Sequence, residues 1–193
     1  MGGVRRLLAL FLACAPLFGW AQSGYEHPDT HLAFPPRLAG FEFASVHRHE
    51  DPRLGVQVSY VLPGLGKADF TIFSYAQKRV PSGIESELVH SAFRTADRDV
   101  YSLYESAQYL ELKRLIPLEG ILKPVDGKPE FYVAAYTYRP GREDADRVAS
   151  WLLVTGLRNH FFKVRYTHAA NEAEKGRLAL GRLLDAFFEV NRN

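Results

Sequence analysis

The stretches FYVAAYTY at 131–138, VASWLLVT at 148–155 and FFKVRYT at 161–167 decide the fold. The first is rich in aromatic and β-branched residues and reads as a strong strand. The second is almost continuously apolar, the pattern of a central strand covered on both faces. In the third, Phe162, Val164 and Tyr166 alternate with Lys163 and Arg165, so one face is apolar and the other wet. Pro140, Gly141, Asp144 and Asp146 make the first link a polar turn, and residues 156–160 make the second a short one. Three consecutive strands joined this way form an antiparallel block.

Working outward, residues 171–190 predict a closing helix. Asn171 and Glu174 open it, and Gly176, Leu180, Leu183, Phe187 and Val190 make a stripe at 4-3-4-3 spacing. Gly176 and Gly181 weaken that helix but permit close approach to a sheet. Upstream, 41–46, 56–61 and 68–75 read as a meander of three strands, with Asp51, Pro52 and Gly55 in one link and Pro63, Gly64 and Gly66 in the other. Ser82 and Glu85 have capping-box spacing and predict a helix from there to about residue 98 or beyond, its narrow face made by Ile84, Leu88, Ser91, Ala92, Thr95 and Ala96. Tyr101 and Tyr104 have no clear assignment. A strand is expected over 109–115, and Pro117, Gly120, Pro124 and Gly127 mark a loop.

The order β-β-β-α-β-β-β-β-α places the chain in the α+β class, with an antiparallel β-sheet of about six to seven strands flanked by two main helices. One domain is expected over 38–193, with 22–37 as an extended polar entry segment containing Pro28, Pro35 and Pro36. With FPPRLAGF at 34–41, the strand at 55–60 and the hairpin at 151–165, this order resembles the Mog1/PsbP-like α/β/α sandwich. The resemblance implies a non-enzymatic adaptor or accessory role, since members of that fold serve as photosystem accessory proteins, GTPase partners and bacterial envelope proteins. It carries no site residue onto this chain.

Residues 1–21 read as a secretory signal peptide: Arg5 and Arg6, an apolar run over 7–18, then Gly19 and Ala21 three and one before a cut. Periplasmic or secreted localisation follows. A retained anchor is the alternative, although Pro16 and Gly19 interrupt the run well before the ~20 residues a spanning helix needs. The chain's one cysteine, Cys14, loosely matches a lipobox, which would make the protein a lipoprotein tethered to the membrane. Cleavage after Ala21 leaves roughly 170 residues, ample for one core. It also removes both arginines behind the formal charge of +2. The remaining body is near neutral and offers no electrostatic basis for nucleic-acid binding. It is also thiol-free, which excludes disulfides, a cysteine nucleophile and thiolate metal sites.

No hydrolase motif is present: Gly-x-Ser-x-Gly and His-Glu-x-x-His are both absent. The expected function is a non-catalytic accessory or binding protein whose partner is an envelope protein or a small ligand. An enzyme of unidentified reaction is one alternative, because catalytic triads are set by fold and not by spacing. The other is a divalent metal held by His47, His49 and Glu50, with His27 and His31, which flank Asp29, as further donors. Alternate strand residues share a face, so both imidazoles of His47-Arg48-His49 point one way. Gly64-Leu65-Gly66-Lys67 reads as a tight turn, not a phosphate cradle. Asp69 opens an apolar strand, where a buried carboxylate would need a partner; it is expected to be exposed at the strand edge, facing Lys67 or an arginine of the next strand. Lys163 and Arg165, with Arg158 and His160, make a small basic face suited to an acidic partner or lipid headgroups.

Overall fold

A computed structural model describes residues 24–76, 79–116, 119–123, 127–141 and 144–192. The segment read as a signal peptide, with Arg5, Arg6, Cys14 and Ala21, lies outside the described residues, as do Pro117 and Pro124 of the expected loop.

The chain begins with a small ribbon, β1 (Tyr25–Glu26) paired with β2 (Ala33–Phe34). Next come β3 (Arg37–Leu38), β4 (Phe41–Arg48), β5 (Val56–Leu62) and β6 (Gly66–Phe73). Helix α1 (Glu87–Glu105) leads to β7 (Tyr109–Arg114) and β8 (Gly120–Leu122). Then β9 (Phe131–Pro140), β10 (Val148–Leu157) and β11 (His160–Ala169) precede α2 (Ala173–Val190). Nine strands form one antiparallel sheet in the order β3-β4-β5-β6-β11-β10-β9-β7, with β8 also on β9. The sheet is thus wider than the sequence count. The added strands β3 and β8 are two and three residues long and too short to show a period of two.

The C-terminal block forms as its pattern dictates. β10 lies between β9 and β11 and is covered on both faces. Leu153 faces α2 with Phe162, Val164 and Tyr166, whereas Leu152 and Val154 face α1. The less legible join is β6 to β11, which pairs residues 88 to 102 positions apart, from Phe161↔Phe73 to His168↔Gly66. It welds the first meander to the last strand.

The two helices take opposite faces. α2 buries Leu180, Leu183, Leu184, Phe187 and Phe188 against Phe34, Phe70, Phe131 and Phe162. Phe187 stacks on Phe70 and Phe162 with centroids 5.0 and 5.1 Å apart. Leu32 and Phe34 belong to this core, so the entry segment is packed structure. Val190, placed in the apolar stripe by spacing, is exposed, because its position on the helix has rotated off the sheet by the last turn.

α1 starts later than its capping-box spacing suggests. Ser86 is the N-cap, accepting from Leu88 N, while Ser82 and Glu85 precede the helix. Gly83 exchanges backbone hydrogen bonds with Gly156 at 2.9 and 3.0 Å, with φ +79°, and cannot be helical at the same time. The buried face is accordingly Val89, Ala92, Phe93, Ala96 and Val100, and Leu88 is exposed. Tyr101 and Tyr104 belong to the last turns of this helix.

Candidate functional site

α1 packs on β7, β9 and β10, which occupy one side of its face of the sheet. Beside it, β4, β5, β6 and β11 present two rows of polar side chains on the same face. Strand register aligns Ser45, Ser59, Asp69 and Arg165 in one row, and His47, Gln57, Thr71 and Lys163 in the next. On the opposite face the same strands carry Val58, Phe70 and Val164. Period-two geometry therefore divides these strands into an aromatic underside and a hydrogen-bonding upper side.

The upper side is a connected network. Oδ1 of Asp69 accepts from Ser59 Oγ at 2.5 Å and Gln57 Nε2 at 3.1 Å, and Lys67 Nζ lies 3.0 Å away. Asp69 thus finds the Lys67 partner its sequence position required. Arg165 stands directly across from it in register but turns toward β10, donating from Nε to Ser150 Oγ at 3.1 Å. Its guanidinium lies 5.6 Å from the Tyr109 ring centre, and its Nη2 is buried with no hydrogen-bond partner among the described residues.

Lys163 lies in a depression of about 160 Å³ walled by His49, Leu54, Gln57, Thr71, Phe73, Tyr75 and Asp99. Its ammonium lies 5.7 Å from the Phe73 ring centre and makes no hydrogen bond or ion pair among the described residues. Burial lowers its pKa and the Arg165 charge lowers it further, against the pull of Asp99 and Asp69.

His49 and Phe73 also line a second cavity, of about 310 Å³, with His27, Asp29, Arg48 and His160. His27 is buried, and its Nδ1 lies 3.3 Å from Thr30 N, which donates to it, and 3.0 Å from Thr30 Oγ1. Its ring meets that of His160 edge-on at 5.6 Å. Burial, reinforced by His160, pushes its pKa down to about 4, so it is neutral at pH 7. His160 Nδ1 is 3.1 Å from Arg158 O.

The structure does bring His47 and His49 together, with rings edge-to-face at 4.9 Å. Glu50 is exposed beyond the end of β4, and His31 is turned outward to Glu26 at 3.0 Å. Among the described residues no group of three or more His, Cys, Asp or Glu is arranged to hold a metal ion. The expected basic face is divided. Arg158 donates to the backbone carbonyls of Thr30, His31 and Asn191, tying the entry ribbon to the end of α2, and His160 faces the histidine cavity. Lys163 and Arg165 alone remain on the polar face.

Gly64 and Gly66 lie at the tight turn between β5 and β6, with Leu65 N donating to Leu62 O. The rows that join Gln57, Thr71 and Ser59 to Lys163 and Arg165 were not legible beforehand. The available signal was two cations at alternate positions of an interior strand. No helix among the described residues is long and apolar enough to cross a membrane. No protein-family model matches the chain, and no curated protein matches it.

Proposed function

We propose that this is an exported, periplasmic binding or accessory protein without catalytic activity, and that it holds a small ligand on the polar face between α1 and the β4–β5 turn. One observation carries this reading. Four adjacent strands carry eight polar side chains in two aligned rows, and Lys163 and Arg165 among them have no carboxylate partner among the described residues. Half-buried charge without a partner is costly. A fold keeps it where something else compensates it, and such conflicts concentrate at functional sites. The Mog1/PsbP-like resemblance, with helices on opposite faces of an antiparallel sheet, agrees with an accessory role by analogy.

Amide chemical-shift mapping with a fragment mixture tests the site. Shifts gathered on Gln57, Thr71, Asp99 and Lys163 are expected, and shifts gathered on α2 and β3 would refute it. Mass spectrometry of the mature N-terminus tests export: a start at Gln22 is expected for the released form, and a lipidated Cys14 would place the protein on the membrane.

A metal reading has one observation in its favour, the contact between the His47 and His49 rings. Zinc or copper calorimetry on wild type and on the His47→Ala/His49→Ala variant decides it, since equal heats in both exclude that site.

A further inference from the structure

Several other partly buried cations of this protein meet a carboxylate, and half-buried Arg158 meets backbone carbonyls. Arg114 has Asp97 at 2.8 Å, Lys128 has Asp185, and Arg139 and Arg147 share Glu111. Among the described residues Lys163 and Arg165 have none, although they stand only about 6.7 Å apart along one strand face and repel each other. The nearby acids do not resolve this. Asp69 is committed through Oδ1 to Ser59, Gln57 and Lys67, and Asp99 stands on the same wall as Lys163 beyond ion-pair distance. Arg165 adds a buried Nη2 without an acceptor among the described residues.

We infer that the ligand of the polar face is a small oxyanion, bearing a carboxylate or phosphate group, bound by Lys163 with Arg165 reinforcing the field; this rests on the reading of that face as a ligand site. The group that is missing is an acceptor carrying negative charge. Charge-assisted hydrogen bonds to an oxyanion supply both properties. Thr71 lines the depression as a further donor beside Gln57, and Leu54, Phe73 and Tyr75 give apolar contact to a short carbon skeleton. The depression, of about 160 Å³, has room for phosphate or a short-chain acid.

Two signatures follow. Lys163 opposes folding while the site is empty, so Lys163→Met should melt above wild type in chloride alone. An oxyanion bound at Lys163 should also raise the pKa of its amine.

The test uses the exported chain, titrated with inorganic phosphate, acetate and succinate at constant ionic strength. Amide shifts at Gln57, Thr71, Asp99 and Lys163 are expected. So is an upward-shifted Lys163 titration, and a melting temperature raised by about 3–6 °C at tenfold the Kd. Lys163→Met should weaken binding about tenfold or more and remove the thermal response. If none of the anions perturbs the face while a neutral probe such as glucose does, the oxyanion assignment fails and the ligand site stands. If no probe perturbs the face, both fail. A phosphate response that survives unchanged in both Lys163→Met and Arg165→Gln would also overturn the assignment, as would binding to anionic-lipid vesicles but to no free anion.

Discussion

Replacing Gly176 and Gly181 by alanine, one at a time, should move stability in opposite directions. Both lie within α2, and helix propensity alone favours alanine by about 0.8–1 kcal/mol at either position. Their surroundings differ. A β-carbon at Gly181 meets nothing within 4 Å, whereas one at Gly176 would fall 2.4 Å from His168 Cε1 and Nε2 and 2.5 Å from Cδ2. The imidazole has to retreat by about 1 Å to reach ordinary contact. It has little freedom to do so. His168 is 2 % exposed, its Nδ1 is 2.8 Å from Ala169 O, and its ring lies 5.3 Å from that of Tyr166. If the ring stays, α2 must lift and loosen Leu180, Leu183 and Phe187 from the sheet. Overpacking of this kind costs about 1–3 kcal/mol. Gly176→Ala should therefore lose up to a net ~2 kcal/mol once the propensity gain is subtracted. Gly181→Ala should gain up to ~1 kcal/mol, with melting temperatures moving about 2–4 °C per kcal/mol. Urea unfolding of the two variants gives the numbers. In a His168→Ala background Gly176→Ala should lose most of its penalty, a coupling of about 1 kcal/mol or more. Equal gains from both glycines would refute the claim that the His168 ring fixes how closely α2 approaches the sheet.

His27 should make the protein acid-sensitive. Its folded-state pKa, about 4, lies below the ordinary 6.5, so the unfolded chain takes up the proton first. The contribution is fully present above pH 6.5 and is lost as pH falls toward 4, about 2 kcal/mol of it by pH 5. Urea midpoints between pH 7.5 and 5 should show this, and His27→Asn should flatten the profile by that amount. Asp97→Ala strips Arg114 of its carboxylate and Tyr136 of its acceptor, and should cost about 3 kcal/mol in chemical denaturation. Removing both charges together, in Asp97→Leu with Arg114→Met, should restore most of that loss; no recovery would mean that packing and not charge governs the site. Phe187→Ala should cost about 3–5 kcal/mol, whereas exposed Val190→Ala should stay within about 0.5 kcal/mol by the same measurement.

Periodicity in the chain was enough for the C-terminal block, for the α+β class and for the existence of both helices. Alternation along a strand and the 3.6-residue helical period are local properties, written within ten residues of one another. The same locality explains what was missed. The start of α1 passed from Ser82 to Ser86 because Gly83 is held by Gly156, a partner over 70 positions away. The two glycines of α2 look alike in the sequence, yet only Gly176 sits against His168.

The candidate site divides along the same line. Lys163 and Arg165 announced themselves as cations on the wet side of an interior strand, and Asp69 as an acid in need of a partner. Residue types, their alternation and the apolar run over 7–18 behind Arg5 and Arg6 are local features that the chain shows directly. Strand pairing in the folded chain sets Ser59, Gln57 and Thr71 beside Asp69, Lys163 and Arg165, and the tertiary structure occupies Arg158 with backbone carbonyls and leaves Lys163 and Arg165 without a carboxylate among the described residues. The physical reason is that a side chain's face is set by its own strand, whereas its partners are set by the register of strands joined through long connections.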